Sequence, residues 1–396
     1  MPWNENSAHS ERLRFIEVWI AGHHSMVDLC AAFGISRKTG YKWRDRHALE
    51  GLSGLEERSH APLRPAHATP EDLVQRIVML KQARPSWGPR KILDRLRDLH
   101  PETAWPSDST GDAILRRFGL VAKRRVGRRA PPRLEPLTEA RRPNHVWAVD
   151  HKGWVRLRDG SRCEPLTITD GFSRYLVGVF ATTNTREAEA RPCFERAFRE
   201  HGLPETIRSD NGAPFASSGV TGLTRLSVWW TKLGVAHERI DPGRPQQNGA
   251  HERFHSTLLR EAMRPAQADA RRQEERFAAF RREYNEERSH EGIGRKPPAR
   301  LYTRSPRDLP RRLPEPEYPA EAAVRRVRSN GEIKWRGDLI GVSSALVGEL
   351  VCVEETDAGA WKLRFHDRTL GYIDHATNHL RPPRPLASKT PSDSPR

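Results

Sequence analysis

The chain has 396 residues, with 68 Lys+Arg against 51 Asp+Glu, a formal net charge of +17 and 36% hydrophobic residues. That length accommodates roughly two to four domains, the apolar share excludes wholesale disorder, and the positive excess demands a polyanionic partner, with nucleic acid ahead of an anionic membrane. No apolar run is long enough to span a bilayer, and no lipidation signal or basic amphipathic helix is present, so no membrane association is expected.

The opening MPWNENSAHSERLRF carries charge where a secretory signal needs an apolar stretch. Cys30, Cys163, Cys193 and Cys352 form no CxxC pair, which suits neither a zinc knuckle nor a disulfide framework. A reduced, cytoplasmic protein follows as the expectation.

Residues 1–60 read as short helices. Leu13, Phe15, Ile16, Val18 and Trp19 lie at helical spacing, and Val27, Leu29, Cys30 and Phe33 predict one apolar helix face. Gly34 then suits a tight turn, and Ser36 can cap a second helix carrying Arg37, Lys38, Lys42, Arg44 and Arg46, with Tyr41 and Trp43 available for packing. Helix, glycine turn and capped basic helix is the pattern of a helix-turn-helix, whose second helix enters the major groove. Arg37, Lys38, Lys42 and Arg44 are therefore candidate DNA contacts; a generic helical hairpin is the plainer alternative.

GLEERSHAPLRPAHATP reads as a linker. Residues 68–122 predict a second, weaker helix-turn-helix-like module: a helix opened by Thr69 and Pro70, a basic helix in SWGPRKILDRLRDLH, and a third from Ser107 to Phe118. Residues 123–142 are rich in Arg, Lys and Pro and cannot bury a core; an extended basic linker is expected, lying along DNA or merely solvated.

From about 143 the texture changes. HVWAVDHKGWVRL, CEPLTITDGFS and RYLVGVFATT are apolar, β-branched runs separated by Gly, Asp and Ser, as in a strand meander. A helix is predicted over 185–199, a short strand ending in RSDNG, a helix over 220–233, a strand in GVAHERI and a long helix in PQQNGAHERFHSTLLREAM. The order β-β-β-α-β-α-β-α over 143–300 matches an α/β ribonuclease H-like fold with a mixed sheet. A basic helix over 271–287 precedes a Pro-rich linker at 301–323. Residues 324–382 alternate apolar and polar in short glycine-punctuated runs, predicting a small β-barrel, and 383–396 are too polar to fold alone.

Three acids stand out. Asp150 ends the strand VWAVD, Asp210 ends a strand at RSDNG, and Glu252 opens the helix in QQNGAHERFH. Adjacent strands with a helix packed across their ends can gather three carboxylates, which repel unless cations neutralise them. Two Mg²⁺ (or Mn²⁺) ions suit such oxygen ligands and promote in-line displacement at phosphorus. Asp150 would bridge, with Asp210 and Glu252 completing one ion each. Asn211 and Gly212 shape the turn, and Asn248, one helical turn before Glu252, is placed to touch DNA. His145, Trp147 and Trp154 flank the first acid, where sheet packing is the expected role; Trp229 and Trp230 read as core.

WAVDHKGW, LTITDGFSRYLVG, LPETIRSDNGAPFAS and LGVAHERIDPGRPQQNGAHERFHSTL resemble bacterial insertion-sequence transposases with a retroviral-integrase-type catalytic core, and LCAAFGISRKTGYKW and RVRSNGEIKWRG extend the likeness over nearly the whole chain. The resemblance implies a DDE triad at Asp150, Asp210 and Glu252 that binds Mg²⁺, frees 3′-hydroxyls at element ends and joins them to target DNA. It implies recognition of terminal repeats, a homodimer or higher oligomer on DNA, and work at the nucleoid. The 41 residues between Asp210 and Glu252 exceed the family's usual spacing; the surplus is expected in a surface loop at ASSGVTGLTRL. No integrase-like amino-terminal zinc domain fits the His and Cys positions.

Two rivals remain. His251-Glu252-Arg253-Phe254-His255 spells H-E-x-x-H, the zinc metalloprotease signature, though without a recognisable third ligand. A DNA-binding regulator with a catalytically silent core fits the charge and helices equally well.

Overall fold

The computed structural model describes residues 8–58, 68–121, 137–217, 219–241, 249–356, 359–374 and 377–382. It forms two compact units, Met1–Pro70 and Glu71–Arg396. No described helix is long and apolar enough to cross a membrane, and all four cysteines are free.

The first unit holds α1 (Ala8–Ile20), α2 (Met26–Ala32) and α3 (Arg37–Glu50). Ser25 and Ser36 cap α2 and α3 by accepting from the backbone N–H of Asp28 and Thr39, each at 3.2 Å. Gly34 turns between them at φ +64°. Gly40 lets the helices cross closely, since a Cβ there would lie 2.4 Å from Cys30 Sγ. Phe15, Ile16, Met26, Leu29, Cys30, Trp43 and Leu55 form the core. Here the apolar face of α2 differs from expectation: Met26 takes the buried place and Val27 is 55% exposed, because a residue one position away points about 100° around the helix.

In the second unit, α4 (Glu71–Ala83), α5 (Pro89–Leu99) and α6 (Asp108–Arg117) bury Val74, Ile77, Trp87, Ile92, Leu93, Leu96, Ile114 and Leu115 among themselves. Next come β1 (Val146–His151), the hairpin β2 (Val155–Arg156) and β3 (Arg162–Cys163), β4 (Leu166–Asp170), β5 (Leu176–Phe180), α7 (Glu187–His201), β6 (Thr206–Ser209), α8 (Arg225–Lys232), β7 (Ala236–Arg239), α9 (Gly249–Leu258) and α10 (Ala270–Glu286). The main sheet runs β5-β4-β1-β6-β7. Its β1–β4 and β4–β5 pairs are antiparallel, and its β1–β6 and β6–β7 pairs parallel, the mixed sheet of a ribonuclease H-like core.

Both faces are covered, so β1, β4 and β5 are buried almost throughout. Trp147, Val149, Ile168 and Val177 pack against Phe194 and Phe198 of α7 and Trp229 and Trp230 of α8. Leu176 and Val179 meet Phe254 and Leu258 of α9 and Phe277, Phe280 and Tyr284 of α10. Trp147 and the Trp229–Trp230 pair are thus core, whereas Trp154 stands 49% exposed with the guanidiniums of Arg156 and Arg162 over its ring.

Two elements are shorter than the sequence predicts. The helix expected over 220–233 begins only at Arg225, because Thr224 and Ser227 close a reciprocal capping box. The long helix of the third acid changes to a π-helical turn at Leu259–Met263. Nor is the 216–226 segment simply a surface loop: Thr221 and Leu223 are buried, and Leu223 joins the carboxy-terminal core.

The carboxy-terminal part comprises β8 (Ala323–Arg326), β9 (Glu332–Trp335), β10 (Asp338–Gly341), β11 (Leu350–Glu355), β12 (Trp361–Phe365), β13 (Arg368–Asp374) and β14 (His379–Arg381). The expected closed β-barrel is corrected: among the described residues the strands form an antiparallel sheet β14-β13-β12-β11-β8 and a separate β10-β9 hairpin. The hairpin closes the core with side chains rather than a continuous ladder. Ile333, Trp335 and Ile340 pack onto Val351, Val353, Leu363 and Phe365, and Leu223 and Val228 fill the same cluster.

Candidate active site

The first two acids leave neighbouring strands together. β1 and β6 run parallel with Ala148 opposite Arg208, so Asp150 and Asp210 each stand two residues beyond a shared rung. β4 lies on the other side of β1, pairing Asp150 with Thr167. Backbone ladders on both flanks therefore hold Asp150. Asp210 opens the turn after β6, where Gly212 N–H donates to its Oδ1 at 3.1 Å and Asn211 Nδ2 donates to the Ile240 carbonyl at 2.6 Å.

Glu252 sits exposed in the first turn of α9, while His251, Phe254, His255 and Leu258 face inward. That inward face hangs from one hydroxyl. Thr167 Oγ1 donates to the Asp150 carbonyl at 2.9 Å and lies 2.7 Å from His251 Nε2 and 2.8 Å from His255 Nε2. Thr169 Oγ1 lies 3.0 Å from His251 Nδ1. His255 Nδ1 is 3.7 Å from Asp150 Oδ2. One ligand atom from each of Asp150, His251 and His255 falls within 4.8 Å of the others.

The electrostatics match a site short of positive charge. Burial first, then the charge of Asp210 and, less strongly, of Glu252, push the Asp150 carboxyl up to about 7, and Lys152 offsets only part of this. Burial alone carries His251 down to about 3, and burial with the neighbouring His251, Lys152 and His151 carries His255 down to about 2. Both rings are therefore neutral. A buried Asp150 carboxyl raised by burial and by the charges of Asp210 and Glu252, with oxygen donors on two strand ends and a helix start, suits a hard divalent cation such as Mg²⁺ or Mn²⁺.

Asp170 is different. Its carboxylate accepts from the N–H of Asn144 and Ser173 and from the Ser173 hydroxyl at 2.6–2.8 Å, which makes it the lock of the β4–β5 turn.

The H-E-x-x-H reading fares badly here. Both Nε2 atoms are engaged by Thr167 and His251 is 2% exposed, so the two rings do not present Nε2 to a shared zinc with an open water position. Thr167 is the residue sequence reasoning missed. Its strand, Leu-Thr-Ile-Thr-Asp, is buried at every position, and the only sign in the sequence is a pair of hydroxyls alternating with aliphatic residues.

Among the candidate DNA contacts, Arg37, Lys38 and Lys42 are exposed on α3. Arg44 is half-buried, donating to Asp45 Oδ1 at 2.7 Å and lying over Tyr41. Asn248 lies outside the described residues.

Comparison with known families finds two integrase core domain matches, over residues 140–245 and 233–298. A helix-turn-helix domain matches 11–62 and a homeodomain-like domain 39–115. The 39.2 kDa protein of insertion element IS476 from Xanthomonas euvesicatoria is 31% identical over 261 residues, spanning 63% of this chain and 70% of the relative. The 31.7 kDa protein of insertion element IS407 from Burkholderia multivorans is 28% identical over 264 residues, spanning 65% of this chain and 90% of the relative. Among solved structures, the HTLV-2 integrase catalytic core domain with magnesium is similar at 18% identity and TM-score 0.31, over 41% of this chain and 99% of that one.

Proposed function

This chain belongs to the bacterial insertion-sequence transposases with an integrase-type core, and from that membership we propose that it binds the terminal inverted repeats of its element, cleaves DNA at the element boundary and joins the freed 3′-hydroxyls to target DNA. The catalytic residues in this reading are Asp150, Asp210 and Glu252, a DDE triad holding two Mg²⁺ or Mn²⁺ ions. The carrying observation is the shared rung of β1 and β6, which sends Asp150 and Asp210 out side by side under the helix start that bears Glu252. When bound, the ions supply Lewis-acid stabilisation of the charge that develops on the attacking and leaving oxygens at phosphorus.

The chain's own groups do the positioning. The ladders to β4 and β6 fix the Asp150 backbone, and Thr167 ties that backbone to α9, which supports Glu252 of α9 as the third member of the site. In this reading Arg37, Lys38, Lys42 and Arg44 present α3 to the repeat, and Asn248 touches DNA beside Glu252. The domains are proposed as 1–60 and 68–122 for end recognition, a basic linker at 123–142, catalysis at 143–300, a linker at 301–323, and DNA or subunit contacts at 324–382 ahead of the polar tail at 383–396. Two ends must react together, so a homodimer or larger assembly forms on DNA in the cytoplasm, at the nucleoid.

The test uses purified protein, a labelled duplex spanning the element boundary and Mg²⁺. Wild type should release a 3′-hydroxyl at the boundary. Asp150→Asn, which keeps the shape and removes the charge, should abolish cleavage while end binding persists. Cleavage that survives this substitution sinks the assignment, and a wild type that binds ends without cutting them returns the reading to a silent regulator.

A further inference from the structure

A single hydroxyl settles the protonation of two histidines. Thr167 Oγ1 has one proton and two lone pairs. Its contact with the Asp150 carbonyl, an acceptor only, takes the proton at 2.9 Å. His251 Nε2 and His255 Nε2, at 2.7 and 2.8 Å, must then both donate. The hydroxyl is saturated, and each ring carries its proton on Nε2.

The remaining nitrogens differ. His251 Nδ1 accepts from the Thr169 hydroxyl at 3.0 Å, so that ring is satisfied at both ends. His255 is only 7% exposed, and its unprotonated Nδ1 lies 3.7 Å from Asp150 Oδ2, beyond hydrogen-bond reach. Two unprotonated acceptors buried this close repel each other, and a shared cation relieves that repulsion; Asp150, His251 and His255 each bring a ligand atom within 4.8 Å of the others.

We infer that His255, through Nδ1, is a nitrogen ligand of the metal ion that Asp150 holds, making this a mixed nitrogen–oxygen site that favours Mn²⁺ over Mg²⁺. The inference rests on the reading of Asp150 as a metal-binding residue. It adds a ligand outside the three acids and assigns His251 to orienting α9. Imidazole raises affinity for transition metals, whereas Mg²⁺ prefers oxygen alone and keeps its waters. The neutral Nε2–H tautomer fixed by Thr167 is the form a metal-binding Nδ1 needs.

The test is pulsed electron paramagnetic resonance on the full chain with Mn²⁺ alone, at saturating metal. Wild type should show ¹⁴N coupling from a directly bound imidazole, replaced by ¹⁵N coupling when histidine is ¹⁵N-labelled, a readout that needs no mutation. His255→Asn should remove the coupling and weaken Mn²⁺ binding by about tenfold or more, with Mg²⁺ binding changed less; His251→Asn should retain the coupling. Asp150→Asn separates the two levels. If it abolishes Mn²⁺ binding while wild type lacks nitrogen coupling, the carboxylate reading stands and the His255 ligand is overturned. If it binds Mn²⁺ as wild type does, the metal lies elsewhere and both fall.

Discussion

The two helical modules that precede the core look alike in sequence and use their positive charge in opposite ways. In the first, α3 leaves Arg37, Lys38 and Lys42 exposed over a core of its own. In the second, the basic residues of α5 turn toward acids. Arg95 meets Glu287 at 3.6 Å, Arg97 meets Asp94 and Asp108 at 3.5 and 3.2 Å, and Lys91 donates to the Ser289 carbonyl at 2.5 Å. From the end of α4, Arg84 meets Glu283 and Glu287 at 3.3 and 3.0 Å, and from the core side Arg295 donates to Asp94 and Asp108 at 3.1 and 2.8 Å. A run of Arg and Lys on a helix is thus a DNA signal only when its counter-charges are not supplied by the same fold.

The sharpest way to break this contrast is to hollow each module in turn. Leu29→Ala and Leu93→Ala remove fully buried leucines, 2% and 0% exposed, and each should cost about 3 kcal/mol locally. Segment-resolved hydrogen exchange separates them. Leu29→Ala should lose protection only within residues 8–58, whereas Leu93→Ala should also loosen α10, whose carboxy-terminal acids hold α5. Unchanged protection of α10 in Leu93→Ala would show that the ion pairs do not couple module to core.

Charge deletion sharpens the other half. Arg37→Ala with Lys42→Ala should weaken binding to an element end about tenfold and lower the salt slope of log K by about two, as for two lost phosphate contacts. Arg95→Ala with Arg97→Ala should leave DNA affinity within about twofold and appear instead as lost stability. An equal loss of affinity from both pairs would make α5 a DNA helix as well.

The same contrast explains what the sequence discloses. Local chemistry was legible: Ser36 capping α3, Gly34 turning before it, and the apolar runs of β1 and β5 all act through neighbours a few residues away. Long-range chemistry was not. Arg90 and Arg95 of α5 meet acids about 200 positions along the chain, Leu223 packs into a carboxy-terminal core, and the H-E-x-x-H spelling conceals two rings hung on Thr167 of β4. Met26 and Val27 differ by one position in the helix, and which of them faces the core depends on where α1 and α3 lie.

The smallest effect concerns Lys91, half-buried between α5 and the end of α10. Burial, aided by the charge of Arg288, pushes its ammonium down to about 8, while Glu261, Glu291 and Asp94 pull the other way. A lysine depressed in the fold costs stability wherever it is charged in both states, that is, below pH about 8. Between about 8 and the ordinary value near 10.5 the unfolded chain binds more protons than the folded one, so the contribution of Lys91 to stability rises with pH, by at most about 1 kcal/mol from pH 8 to 9. Lys91→Met keeps the stem and removes the titration. In urea unfolding, the stability difference between wild type and Lys91→Met should shift toward wild type across that interval and stay flat between pH 6 and 7. A flat difference throughout would mean that the Ser289 carbonyl and the surrounding acids hold the ammonium charged, and that α5 meets the core through a full ion rather than a neutral amine.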